Sequence, residues 1–177
     1  MEIKSTTLQN GVTYGNVDFK CDLETKDSNN CSVRALATAF EKSYKMAFMG
    51  AQMLFDRKRN EGALGFAVER MHKNEYLWDK KVVRMGKVVE GDEWKGKQIG
   101  KVYHVGAGEK KFRRMSTGTF FKTYKEGTFI LVVKGHMFTV KDGEVLGNRS
   151  DATMLKRPIE YAFAIGRKAN RVNRIIK

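Results

Sequence analysis

Apolar residues recur at helical spacing in the first half of the chain and at strand spacing in the last third. Ala35, Leu36, Ala39, Phe40 and Tyr44 fall three and four apart, which predicts one buried face on a helix over 31–45. Ser28, Asn29 and Asn30 precede it, and each is a competent N-cap. Phe48, Ala51, Leu54 and Phe55 predict a second helix over 46–58, with Arg57-Lys58-Arg59 at its carboxyl end. Asn60 and Gly62 break it. Leu64, Val68 and Met71 predict a third helix over 63–76, weakened by Gly62 and Gly65. Met46, Met49 and Met53 read as core filler.

After residue 78 the pattern changes. Val82-Val83 and Val88-Val89, split by glycines, predict a basic connecting region over 81–105 with short strands or a small helix. Phe120, Phe121 and Tyr124 suggest a short helix over 115–125. From Thr128 to Val133 the chain is a β-branched and aromatic run, which predicts a strand. His136 to Val140 alternates into a second strand, and Asp142-Gly143 is a strong hairpin signal. Glu144-Val145-Leu146 returns as a third strand and residues 159–165 make a fourth. Residues 1–20 read as irregular chain or a short hairpin, with Asn10-Gly11 and Gly15-Asn16 as turn signals. Helices first and antiparallel strands later predict an α+β fold in one domain over 1–177, with a basic tail from about 166 to 177.

Composition narrows the picture. A chain of 177 residues with 41% hydrophobic residues has enough material for one real core. It has no apolar run of about 18 residues, so no spanning helix is expected, and its first residues lack the apolar stretch of a secretion signal. The expected location is the cytoplasm. The two cysteines, Cys21 and Cys31, do not make a disulfide framework. Together with His72, His104 and His136 they are too scattered for zinc. No metal or cofactor is expected. The formal charge of +14 predicts affinity for polyanions, whether nucleic acid or acidic protein. The glycine-rich Gly106–Lys111 stretch lacks the spacing of a phosphate-binding loop and reads as a basic loop.

The candidate chemistry begins at Asn30-Cys31. A thiol at a helix start faces unpaired N–H groups and the positive end of the helix dipole, which favour thiolate. A cysteine nucleophile also needs a base, and the base needs an orienting partner. His136 opens a hairpin strand directly after Gly135, and Asn148 lies just past the returning strand, so the Asp142-Gly143 turn folds them into one neighbourhood. His104 is a second candidate base, and Asp142 a second candidate orienter. Its place in a tight turn favours a structural role. Arg34, one turn into the helix, is read as pairing with an acid to fix the helix.

The order of helix-borne Cys31, strand-borne His136 and then Asn148 resembles papain-like cysteine peptidases. The run Asp27-Ser28-Asn29-Asn30-Cys31-Ser32-Val33-Arg34-Ala35-Leu36 also resembles the cysteine motif of ovarian-tumour-type deubiquitinases, with Asp27 one residue further from the cysteine. It is more closely similar to a group of small bacteriophage proteins that pair an Asn-Cys-x-x-Arg-Ala-Leu-Ala start with a Gly-His…Asp-Gly hairpin. The informative parts are about 27–40 and 128–148.

The resemblance implies a papain-like fold and a thiol hydrolase acting on an amide, isopeptide or related acyl bond of a protein or peptide. Cys31 would be nucleophile, His136 general base and then acid, and Asn148 the orienting residue. The Cys31 N–H would be one oxyanion donor. Such enzymes add a side-chain donor upstream, usually glutamine. Here Thr25 stands near that position, and Asn29 and Asn30 are the candidate substitutes. The resemblance also implies a phage-encoded protein in host cytoplasm or virion. The competing class is a non-catalytic scaffold whose basic surface binds nucleic acid or an acidic protein.

Overall fold

In the computed structural model, residues 1–62, 68–74, 76–85, 100–105 and 109–166 are described. The expected basic tail, apart from Gly166, lies outside them, as do part of the third helix, most of the connecting region and Gly106 to Gly108. The chain is an α+β structure built on an eight-stranded sheet.

An N-terminal hairpin of β1 (Glu2–Thr7) and β2 (Thr13–Asp18) comes first. Gly11 turns at φ +75°, as its Asn-Gly signal predicts, whereas Gly15-Asn16 lies inside β2 and is no turn. The reason is packing: a Cβ on Gly15 would fall 2.5 Å from a Leu146 methyl, so glycine is what lets β2 lie against its neighbour. Four helices follow: α1 (Asp22–Thr25), α2 (Cys31–Phe40), α3 (Tyr44–Phe55) and α4 (Val68–Lys73). Next come β3 (Tyr76–Leu77), β4 (Lys80–Met85), β5 (Gly100–Val105), β6 (Glu109–Arg114) and the short helix α5 (Thr117–Thr123). The C-terminal part holds β7 (Thr128–Val133), β8 (His136–Lys141), β9 (Glu144–Leu146), α6 (Arg149–Thr153) and β10 (Ile159–Ile165).

The sheet order is β1-β2-β9-β8-β7-β10-β4-β3, while β5 and β6 form a separate pair. All pairings in the large sheet are antiparallel except β2 with β9. The N-terminal hairpin therefore extends the C-terminal sheet, and β4, expected to be part of a connector, is one of its inner strands.

Both faces of the sheet are covered. On β7, Ile130 and Val132 face the α2–α3 side, while Phe129, Leu131 and Val133 face the α5 side with Phe120 and Phe121. A strand buried on both faces reads as an unbroken apolar run. The Thr139 hydroxyl, fully buried on β8, donates to the Ala35 carbonyl of α2 at 2.8 Å. This bond ties the helix that carries Cys31 to the strand that carries His136.

The first two predicted helices are shifted. A single helix over 31–45 is not formed: α2 stops at Phe40 because Glu41 turns left-handed at φ 56° and the Lys42 N–H donates back to the Ala37 carbonyl. Ser43 then caps α3, accepting from the Met46 N–H at 3.3 Å. Tyr44 accordingly starts α3 and does not end α2. At the other end α3 stops at Phe55 with Asp56 left-handed, so Arg57 leaves the helix and turns into the interior. Met46, Met49 and Met53, expected in the core, are 46%, 54% and 84% exposed. The buried face of α3 is already filled by Tyr44, Ala47, Phe48, Ala51, Leu54 and Phe55. No described helix is long and apolar enough to cross a membrane.

Candidate active site

Cys31 is the first residue of α2, half-buried at the edge of the α2–α3 core. Its position is fixed by the loop before it. The Asp27 carboxylate, 4% exposed, accepts from Arg57 Nη2 at 2.9 Å, from the Tyr44 hydroxyl at 2.6 Å and from the Asn60 N–H at 2.8 Å. Arg57 and Asp27 have fully buried side chains, and the guanidinium lies 5.3 Å from the centre of the Phe48 ring. Arg57 Nη2 also reaches the carbonyls of Ser28 and Asn29 at 3.4 Å. Asn60 closes the loop from outside, its Oδ1 accepting from the Ser28 N–H at 2.8 Å. Asn29 sits left-handed at φ 55°, a conformation asparagine tolerates. The Asp-Ser-Asn-Asn approach is thus a turn clamped by Arg57 and Asn60. Burial pushes the Asp27 carboxyl up, but Arg57, Tyr44 and the Asn60 N–H outweigh it and hold it below the usual carboxylate range.

Arg34 points away from the thiol chemistry. Its guanidinium pairs with Glu24, donates to the Val17 carbonyl at 3.0 Å and lies over the Phe19 ring. It fastens α2 to α1 and β2, the structural role expected of it.

His136 is the first residue of β8, directly after the tight turn made by Lys134 and Gly135, where Gly135 has φ +70°. Its ring is stacked on Phe138, and its side chain is 17% exposed. Nε2 lies 2.9 Å from Asp151 Oδ2. With Nε2 so engaged, Nδ1 is the ring nitrogen left for Cys31, whose thiol and the imidazole shift each other's ionisation. The imidazole is therefore bonded to Asp151 on one side and coupled in its ionisation to Cys31.

The side chain that bonds the His136 ring is that of Asp151, not of Asn148. Asn148 is the N-cap of α6, and its backbone N–H donates to Asp151 Oδ2 at 2.8 Å. The hairpin argument carried the chain back to the right place, because β9 pairs with β8 and returns toward His136. What it missed is the helix that starts there, whose third residue swings its carboxylate under the imidazole. The signal was present: Asn148 followed three residues later by an acid is close to the capping-box pattern of a helix start. Asp151 is 1% exposed, and its other oxygen accepts from Arg157 Nη1 at 3.1 Å. Its carboxylate thus has a donor on every side.

The charges on the pair follow from this frame. Burial pushes the His136 imidazolium down, but Asp151 first and Cys31 second raise it to about 9. Burial pushes the Cys31 thiol up, but His136 and the N–H groups of Met137 and Ser32 outweigh it, so the thiol ionises below its ordinary value. Both shifts run toward the thiolate–imidazolium pair, the reactive form of a cysteine nucleophile.

The remaining candidates fall elsewhere. Asp142 lies at the opposite end of β8 from His136, left-handed at φ 48°, with its carboxylate accepting from the Gly127 N–H at 2.8 Å. His104 is on β5, paired with Lys110 in the separate two-stranded sheet. Asn29 Nδ2 donates to the Asn60 carbonyl at 3.3 Å and Asn30 Nδ2 to the Glu24 carbonyl at 3.4 Å. The Thr25 hydroxyl donates to the Asp22 carbonyl at 2.9 Å. Each candidate side-chain oxyanion donor is therefore engaged in holding the loop. The Cys31 N–H, at the first turn of α2 where helical N–H groups lack an intrahelical partner, is a candidate oxyanion donor. Both cysteines are free thiols, and no group of metal-ligating side chains occurs among the described residues.

Comparison of the chain with family models, with curated proteins and with solved structures gives no match.

Proposed function

We propose that the protein is a thiol hydrolase of papain-like arrangement, acting on an amide, isopeptide or related acyl bond. The observation that carries this reading is the meeting of Cys31, His136 and Asp151: thiol and imidazole shift each other toward the ionised pair, and the buried Asp151 carboxylate bonds the ring at 2.9 Å and raises it further. The order of elements supports it too: a nucleophile at a helix start packed on a sheet whose hairpin supplies the base.

In the first half-reaction the Cys31 thiolate attacks the carbonyl carbon and a C–S bond forms. The developing oxyanion faces the Cys31 N–H. His136, already protonated, gives its proton to the leaving nitrogen as the C–N bond breaks. A thioester remains on Cys31, and His136 is neutral. In the second half-reaction His136 removes a proton from water, the hydroxide attacks the thioester, and the acid leaves as the thiolate is restored. Asp151 holds the ring in the tautomer that keeps Nδ1 toward sulfur.

The test is alkylation of Cys31 with iodoacetamide near pH 6.5, together with turnover on a panel of fluorogenic peptide and isopeptide amides. Selective labelling of Cys31 over Cys21, loss of most of that rate in His136→Ala, and hydrolysis abolished by Cys31→Ala are the expected results. Labelling indifferent to His136 would end the proposal.

One observation favours the second reading, a basic binding scaffold. Asn29, Asn30 and Thr25 are all engaged in the loop, so no side-chain oxyanion donor stands in the expected place. That reading expects polyanion binding that falls with salt and survives Cys31→Ala.

A further inference from the structure

The methionines that leave the core lie together. Positions 46, 49 and 53 fall within one stripe of α3, about 10 Å long at 1.5 Å per residue. Gly50, between them in sequence, is where the Trp78 ring seats: a Cβ there would fall 2.2 Å from Trp78 Cζ2. Helical spacing places Met46 four residues before Gly50 and Met53 three after it, so they flank the indole along the helix. The result is an apolar strip of three exposed thioethers beside the edge of a half-buried indole whose other side packs on Phe40 of the core.

The rim of the strip is basic. Lys45 is exposed beside Met49 on α3, and Lys58 is exposed just past its end, while the neighbouring Arg59 guanidinium is bonded to the Lys26 carbonyl. Against them stands the carboxylate of Asp56. Glu41, before the helix, is held by Lys80 and Lys141. The strip also adjoins the catalytic loop through its own helix, since Tyr44 from the first turn and Arg57 from beyond the last both bond Asp27.

We propose that this face of α3 docks an acidic amphipathic polypeptide segment. Apolar side chains of the segment would lie among Met46, Met49, Met53 and Trp78, and its carboxylates would meet Lys45 and Lys58. Exposed thioethers adapt to varied side chains, as at other methionine-rich binding faces. The cations lie at the border and not among the methionines, an arrangement suited to an amphipathic helix or strand. The binding itself does not depend on hydrolysis. That the segment belongs to the substrate rests on the function proposed above.

The experiment selects from a random 16-residue peptide display library on the full chain, then measures the recovered peptides by fluorescence anisotropy. Expected are peptides rich in Asp and Glu with apolar residues three and four apart. Their binding should weaken at least ten-fold in a variant carrying M46Q, M49Q and M53Q and in a K45E and K58E variant, and persist in Cys31→Ala. Iodoacetamide labelling of Cys31 should be unchanged in the glutamine variant, which shows that the fold and the thiol site are intact. Recovery of unpatterned or basic peptides, no enrichment, equal binding by the glutamine variant, or binding only to anionic vesicles or single-stranded DNA overturns the proposal. Failure of Cys31 reactivity with peptide binding intact strikes the hydrolase reading alone.

Discussion

Asp151→Asn isolates the part of the site that hydrogen-bond geometry assigns to a carboxylate. The side chain keeps its shape and loses its charge. In the native protein Oδ2 accepts from His136 Nε2 and from the Asn148 N–H, and Oδ1 accepts from Arg157. An amide has one acceptor oxygen, so its NH2 must face either the imidazole and the Asn148 N–H or the guanidinium, and one side meets donor against donor. A hydrogen bond to a charged acceptor contributes about 1.5–3 kcal/mol. That loss falls on the protonated form of His136, which is the form that stabilises the thiolate. At about 1.4 kcal/mol per pH unit, the balance between thiolate–imidazolium and thiol–imidazole shifts roughly 10- to 100-fold toward the neutral pair.

The assay is the second-order rate of Cys31 alkylation by iodoacetamide from pH 5 to 10, in a Cys21→Ser background so that one thiol reports. The rate at pH 6.5 should fall ten-fold or more, and the rise with pH should move toward that of an ordinary thiol. Stripping Arg157 of its counter-charge also destabilises the fold by roughly 3 kcal/mol, or about 6–12 °C in Tm for a chain of this size, so labelling is measured at 15 °C. A folded Asp151→Asn variant that labels within two-fold of the native rate would refute the assignment of Asp151 as the residue that sets the thiolate.

Three further outcomes follow from the same contacts. For pH, the raised His136 contributes stability that is full below 6.5 and lost as pH rises through about 9, while the lowered Cys31 contributes stability present above its ordinary value and lost as pH falls through its depressed one. The two offset near neutrality, so the native chain should show a flat stability profile there, whereas Cys31→Ala should lose roughly 1–2 kcal/mol between pH 6.5 and 9 by urea unfolding. Gly147→Ala puts a methyl 2.7 Å from Asp151 Oδ2 and 2.9 Å from Phe138 Cβ, and pushing the carboxylate off the ring should cost about 1–3 kcal/mol and slow Cys31 labelling. A native rate in that variant would show that the carboxylate has room to yield. Arg57→Met leaves Asp27 buried and unpaired and should cost about 3–5 kcal/mol, with part of that recovered in the D27N and R57M double variant; no recovery would mean that packing, not charge, is what Arg57 supplies.

The α+β class and the placing of Cys31 and His136 were legible because they rest on short-range signals. Polar caps before an apolar face mark where α2 starts, and the Asp-Gly turn marks where β8 gives way to β9. Signals with a range of one turn were misjudged wherever a neighbour decided the outcome. The end of α2 depends on Glu41 accepting a left-handed backbone, a conformation usual for glycine and not announced by glutamate. The exposure of Met46, Met49 and Met53 depends on which arc of α3 meets the sheet, and periodicity alone does not choose between two apolar arcs on one helix. The pairing of β2 with β9 joins residues about 130 apart in sequence and leaves no local trace in either strand.

Asp151 shows why a triad is harder to read than its first two members. Nucleophile and base are chosen by chemistry, since few side chains supply a thiolate or a proton shuttle near neutral pH. An orienter needs only an acceptor in the right place, and Asn, Asp and Glu all qualify, so its identity is set by backbone geometry. Here that geometry is a helix start: the N-cap at Asn148 fixes the first turn of α6, and the third residue of that turn is the one whose carboxylate reaches back. The same oxygen that accepts from the helix's own N–H also accepts from His136, so a single cap holds both the helix and the base in place. Displacing the Asp151 carboxylate therefore loosens the helix start and the His136 ring together, and the effect of Gly147→Ala on Cys31 reactivity should track its effect on the first turn of α6.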